Sequence, residues 1–195
     1  MPERPPVPEK LLRREVLAEG RLLTFRLDTV ADAEGIERRR EVVVHPGGVA
    51  IAALTDERHV LLVRQYRHAV ERICLELPAG TLDRDAAGNK EEPILAARRE
   101  LAEETGYEAA EWRLLARFYT APGFATEEMH LYLASGLSPA PHGVGPAPDE
   151  RLELVRLPLA EALALTDRGE VEDAKTLVGL LAVGRLASLG ELPVG

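Results

Sequence analysis

Three glutamates, at positions 100, 103 and 104, constrain this chain more than any other feature. They stand in Arg99-Glu-Leu-Ala-Glu-Glu-Thr-Gly106, within a stretch that opens at Pro93 and stops before Gly106, which predicts a helix between those two residues. Pro93 suits a first-turn position, Glu91 and Glu92 complement the positive end of the helix dipole, and Gly106 can supply a left-handed C-terminal cap. Ile94, Ala97, Leu101 and Thr105 fall on one side at helical spacing. Glu100, Glu103 and Glu104 are then related as i, i+3 and i+4, and share roughly a third of the circumference. Like charges so placed repel by a few tenths of a kcal/mol per pair, and a hard divalent cation would offset that. Carboxylate oxygens suit Mg²⁺ or Mn²⁺, which keep several waters and share phosphate oxygens with a substrate. The plain alternative is a solvated acidic face eased by Arg98 and Arg99. From this composition, Arg-Glu-x-x-Glu-Glu-x-Gly arises by chance in roughly a few sequences per thousand, which puts that alternative second.

Composition narrows the classes. A chain of 195 residues, 46% of them hydrophobic, suits one compact domain with a real core and a small appendage. With 24 Lys+Arg against 33 Asp+Glu the net charge is −9, so no basic excess exists to neutralise nucleic-acid phosphates. No apolar run reaches the roughly 20 residues that span a bilayer. Met-Pro-Glu-Arg-Pro-Pro lacks the apolar centre of a secretion signal, and a lone Cys74 cannot form an internal disulfide; a cytoplasmic protein is expected, with neither nucleic acid nor membrane as partner. Cys74 reads as a small core residue. His45, His59, His68, His130 and His142 share no metal-ligand spacing and read as structural or surface residues. Neither a Gly-x-Ser-x-Gly element nor a Gly-x4-Gly-Lys-Ser/Thr loop is present.

Along the chain, residues 1–9 are rich in Pro and charge and read as an extended lead-in. Alternation from Lys10 to His45 predicts a small sheet, with strands over 22–28 and 36–44 joined at Asp32-Ala-Glu-Gly35. Such a sheet buries little by itself and must lean on the main domain or a second subunit. Val49–Leu54 and His59–Val63 flank Thr55-Asp-Glu-Arg58 as a hairpin. Further strands are expected at 74–77, 112–119, 129–134 and 152–157, with loops at 81–90, 120–128 and 136–149, and closing helices near 158–168 and 173–189. Arg64 and Arg67 are read as alternating on one strand face.

Glu91-x7-Arg99-Glu100-Leu101-x-Glu103-Glu104-x-Gly106-Tyr107 resembles the larger part of the Nudix box, Gly-x5-Glu-x7-Arg-Glu-U-x-Glu-Glu-x-Gly-U, where U is bulky and apolar. Gly80 resembles its opening glycine, except that ten residues rather than five separate it from Glu91, an insertion placed near 85–89 in a loop that tolerates length. The resemblance implies an α/β/α sandwich with a mixed sheet over 46–195, preceded by an N-terminal antiparallel β-sheet over 1–45. It implies Glu100 and Glu104 as ligands of Mg²⁺ (Mn²⁺ substituting), shared by Glu103 and the carbonyl of Ala79. Arg99 would orient the cluster by pairing with a box carboxylate such as Glu91. The implied reaction is attack of water on a nucleoside diphosphate.

Within that family, Pro122 lies sixteen residues after Gly106 in Ala121-Pro-Gly-Phe124, a spacing similar to the proline that marks the ADP-ribose pyrophosphatase group. Val63-Arg-Gln-Tyr-Arg67 ahead of Leu75-Glu-Leu-Pro-Ala-Gly80, Arg39-Arg-Glu41 ahead of His45-Pro-Gly-Gly-Val-Ala50, and Gly169–Thr176 at the start of the last helix resemble the same group. The resemblance implies hydrolysis of ADP-ribose to AMP and ribose 5-phosphate. Arg40, Arg64, Arg67, Pro122, Gly123 and Phe124 are then substrate-binding candidates, since guanidinium forks take phosphate oxygens bidentately. Glu127 is the expected base, with Glu128 and Glu103 as fallbacks. A homodimer exchanging its N-terminal sheets is implied, with Arg40 and Phe25 reaching the partner's site. A broader nucleoside diphosphate sugar hydrolase, and a Nudix-fold ADP-ribose sensor without turnover, stand as alternatives.

Overall fold

The computed structural model describes residues 7–84, 88–140 and 151–192. The expected lead-in at residues 1–6, the inserted residues 85–87 and the loop over 141–149 lie outside the described residues. The chain divides into two compact units, one of residues 1–47 and 119–127, the other of 48–118 and 128–195.

The first unit is a three-stranded antiparallel sheet of β1 (Lys10–Glu19), β2 (Thr24–Ala31) and β3 (Glu37–Val44), in that order. β1 is a strand that no single alternating run in the sequence marks; its ladder with β2 shifts register twice, between Leu11 and Arg13 and between Val16 and Ala18. Every residue of β1 is exposed, including Leu11, Leu12, Val16 and Leu17. The buried Asp28 of β2 receives both Nε and Nη2 of Arg14, at 3.0 and 3.1 Å, with Arg26 Nε at 3.3 Å.

The second unit holds β4 (Gly48–Ala53), β5 (His59–Arg67), β6 (Arg72–Glu76), β7 (Ala79–Thr81), α1 (Pro93–Thr105), β8 (Tyr107–Tyr119), β9 (Glu128–Pro139), β10 (Leu152–Pro158), α2 (Leu159–Asp167) and α3 (Ala174–Leu189). A mixed sheet runs β7-β4-β9-β8, with β4 and β9 parallel, and a smaller antiparallel sheet runs β10-β5-β6. β4 is buried at all six positions because both its faces are covered. Ala50 and Ala52 join Leu77, Leu131, Leu133, Leu180 and Val183 on the α3 side. Val49, Ile51 and Ala53 join Ala96, Ala97, Leu101 and Tyr132 on the α1 side. This is the helix–sheet–helix layering expected of the fold.

One local expectation is corrected. β4 and β5 do not form a hairpin ladder: one bridge, Leu54 to Val60, joins them before they enter different sheets. An all-apolar strand fits only where both faces are covered, whereas β5 alternates toward solvent from Arg64 onward and pairs with β6 and β10. At α1, Pro93 and Gly106 occupy the expected ends, Gly106 at φ +71° with its N–H on the Ala102 carbonyl. Glu92 is the N-cap residue, with no side-chain bond to the backbone, and the Glu91 carboxylate pairs with Arg99.

Candidate active site

α1 presents its acidic turn to the short segment that links β6 to β7. Glu100 and Glu104 are 9% and 8% exposed, and Glu103, on the rim, is half-buried. The Ala79 N–H donates to Glu104 Oε2 at 2.8 Å. Gly80 pairs with Val49 of β4, and a Cβ added to it would stand 1.9 Å from Glu100 Oε1. Residue 80 is therefore glycine because a carboxylate occupies the place of its side chain. Two glutamates one helical turn apart are thereby aimed at one stretch of backbone.

Arg99 holds this cluster together. Its Nη1 donates to Glu100 Oε1 at 2.7 Å and Glu103 Oε2 at 3.2 Å, while Nη2 reaches Glu91 Oε2 at 2.9 Å and the Thr81 carbonyl at 3.3 Å. The Arg99 hydrogen bonds hold the Glu91 carboxyl below its usual range despite partial burial. The same bonds raise the guanidinium pKa further, so Arg99 is a permanent cation here. Among the described residues, no three His, Cys, Asp or Glu side chains already converge as a cation site. The donor set is nevertheless all hard oxygen, and the Gly80 cradle gives one carboxylate a fixed seat against backbone, which fits Mg²⁺ or Mn²⁺ rather than a soft metal.

Arg64 and Arg67, three residues apart on β5, lie on opposite faces, because side chains alternate at period two; the reading that they share a face is corrected. Arg64 Nη1 meets Glu153 Oε1 at 3.1 Å on the exposed side. Arg67 makes a two-pronged contact with Glu76, Nε to Oε1 and Nη2 to Oε2, both 2.7 Å. Glu76 is 1% exposed and also receives Lys175 Nζ. Burial pushes the Glu76 carboxyl up, but Arg67 and Lys175 outweigh it and bring it below the ordinary value. Glu76, Asp173, Lys175 and Thr176 carry no role in the sequence reading, although an acid inside the otherwise apolar Cys74-Leu-Glu-Leu77 is a signal that it must be paired.

The remaining candidates belong to the first unit. Arg40 is held by Glu9, with Nε to Oε2 at 3.1 Å and a shorter second prong. Pro122 and Gly123 lead to an exposed Phe124, and the loop is fastened to β3: Val43 N–H donates to the Phe124 carbonyl at 2.8 Å and Thr126 N–H to the Val43 carbonyl at 3.0 Å. Glu127 Oε2 accepts from the Thr120 hydroxyl, and Oε1 lies 3.4 Å from His45 Nε2. Gly47 N–H donates to His45 Nδ1 at 3.0 Å, so a neutral imidazole carries its proton on Nε2, facing Glu127. His45, read from sequence as structural or surface, thus sits beside the candidate base.

A family model described as NUDIX domain matches residues 44–178. The methanol dehydrogenase activator of Bacillus methanolicus is 40% identical over 172 residues, 88% of this chain and 90% of that protein. The ADP-ribose pyrophosphatase of Bacillus subtilis (strain 168) is 40% identical over 168 residues, 86% and 88% of the two chains. A crystal structure titled ADP compounds hydrolase superposes with a TM-score of 0.82 at 26% identity, covering 97% of this chain and all of that one.

Proposed function

The chain belongs to the Nudix family of hydrolases, and on that premise we propose that it cleaves the diphosphate of ADP-ribose to AMP and ribose 5-phosphate. The observation that carries the reading is the buried pair Glu100 and Glu104 set against Ala79 and Gly80. Glu100, Glu103, Glu104 and the Ala79 carbonyl would hold the cation, Mg²⁺ with Mn²⁺ substituting. Bound there, a divalent cation neutralises diphosphate charge and acidifies water.

The chain's own residues supply the rest. Arg99 fixes the carboxylates by bonding Glu91, Glu100 and Glu103 at once. Arg40, Arg64 and Arg67 offer guanidinium forks to the phosphates, each in exchange for the carboxylate it now contacts. Phe124, 59% exposed, offers a ring to a base. Glu127 takes the proton of the attacking water as its oxygen bonds to one phosphorus, and the bridging oxygen leaves with the other. The exposed apolar side chains of β1 support a homodimer built through residues 1–45, and the lone cysteine supports a cytoplasmic setting.

Because an exposed ring stacks on any base, a broader nucleoside diphosphate sugar hydrolase is the second reading. Phosphate release in a phosphatase-coupled assay over a panel of diphosphates, with and without Mg²⁺, separates the two. The expected result is Mg²⁺-dependent turnover of ADP-ribose at least about tenfold above the nucleotide sugars, or ~1.4 kcal/mol of discrimination. Equal rates across the panel favour the broader enzyme, and binding of ADP-ribose without turnover favours a sensor.

A further inference from the structure

The backbone that faces the acidic turn of α1 is only four residues long, Leu77-Pro-Ala-Gly80, and it bridges two sheets. Its downstream half is held in β7, with the Pro78 carbonyl accepting from Ile51 N–H at 2.8 Å. Its upstream end falls between β6 and β7, so the Leu77 amide belongs to neither ladder. A buried amide without a partner costs about 1–3 kcal/mol, and this one has a partner on the last helix. Leu77 N–H donates to Thr176 Oγ1 at 2.8 Å. Thr176 is fully buried, and its hydroxyl proton goes to Asp173 Oδ2 at 2.6 Å, which turns the oxygen lone pairs toward Leu77. Asp173 also accepts the Thr176 N–H, capping α3, and pairs with Lys175 Nζ at 2.9 Å.

The first turns of α3 thus grip two consecutive residues of the strand end. Lys175 takes the Glu76 carboxylate, Thr176 takes the Leu77 amide, and Gly179 gives way to the Leu77 side chain, where a Cβ would stand 2.3 Å from Cδ1. Two residues farther on, Ala79 N–H fixes Glu104 and Gly80 seats Glu100. A shift at Leu77 would therefore be felt, through Pro78, at the seats of both carboxylates.

We infer that Thr176, oriented by Asp173, is a positioning residue that sets the cation-binding geometry of α1 from the opposite side of the sheet. The inference rests on the reading of α1 as the cation site. It is tested on the full chain with Mn²⁺ alone, by electron paramagnetic resonance of the free ion, alongside steady-state hydrolysis and thermal unfolding. Thr176→Val keeps the volume and deletes the acceptor. It is expected to weaken Mn²⁺ binding at least fivefold and to raise the metal concentration for half-maximal rate in proportion, with KM at saturating metal within twofold. Thr176→Ser keeps the hydroxyl and is expected to bind Mn²⁺ within twofold of the parent. Should Thr176→Val fail to fold, Asp173→Asn retains the cap and is expected to weaken Mn²⁺ two- to threefold. Parent-like Mn²⁺ affinity in the folded Thr176→Val or Asp173→Asn variant, with only a lower melting temperature, overturns the inference. Failure of the site reading looks different: Glu104→Gln would then bind Mn²⁺ as the parent does.

Discussion

Gly80 stands against the Glu100 carboxylate with no room between them: a Cβ on residue 80 would lie 1.9 Å from Oε1 and 2.0 Å from Cδ. Glu100 is the far end of a flexible side chain, so a methyl group there can be accommodated by swinging the carboxylate away. The fold then survives and the seat does not. Gly80→Ala is expected to lower the hydrolysis rate more than about tenfold, over 1.4 kcal/mol of barrier. The melting temperature should move by only a few degrees, the equivalent of about 1 kcal/mol in a chain of this size. Steady-state rates and a calorimetric scan on the same sample check both halves; unchanged rates would show that Glu100 does not need this position.

Glu104→Gln tests the charge apart from the shape. The amide oxygen can still accept from Ala79 N–H, so the local structure should hold. What disappears is one negative ligand, and with it several kcal/mol of charge stabilisation at a developing phosphoryl anion. The expected result is a fall in kcat of about a hundredfold or more at saturating Mg²⁺. EDTA should silence the parent, and added Mg²⁺ should restore it.

α1 was legible in the sequence because everything that defines it is local: Pro93 and Gly106 mark its ends, and the glutamate spacing puts three carboxylates on one side. The mixed sheet was legible through β4, whose apolar run is typical of a strand covered twice. What the sequence did not disclose is non-local. The Leu54–Val60 turn looks like a hairpin, yet its strands part into two sheets, because partners far along the chain, β9 and β10, claim them. Glu76 gives no hint that Arg67 and a lysine 99 residues away will neutralise it. His45 shares no spacing with Glu127, and only the fastening of the 120–127 loop onto β3 brings them to 3.4 Å.

The Glu76 pairing predicts how stability depends on pH. The folded carboxyl titrates below its ordinary value because Arg67 and Lys175 outweigh burial. A group whose folded pKa is depressed contributes stability above its unfolded pKa, near 4.3 for glutamate, and loses it as pH falls through the folded value. At pH 7, Glu76→Gln strands two cations and should cost about 3 kcal/mol. Urea midpoints at pH 7, 5 and 3.5 should show the gap to the parent closing as the pH drops below 4.3. A gap that stays constant to pH 3.5 would mean that Glu76 titrates alike in the folded and unfolded chain, without the lowering that Arg67 and Lys175 impose.

Glu127 has donors on both oxygens, the Thr120 hydroxyl on Oε2 and the His45 edge near Oε1. These contacts orient the carboxylate, as a base must be oriented to meet an attacking water. If Glu127 is the base, Glu127→Gln should cut kcat by about a hundredfold or more with ADP-ribose binding retained, the range a positioned base supplies. Thr120→Val removes only one orienting bond, worth about 1 kcal/mol, and should slow turnover by less than about tenfold. Single-turnover rates paired with equilibrium binding distinguish chemistry from affinity in both variants. A near-normal rate for Glu127→Gln removes it from the mechanism, and the proton must then go to Glu128 or Glu103, each tested by the same substitution.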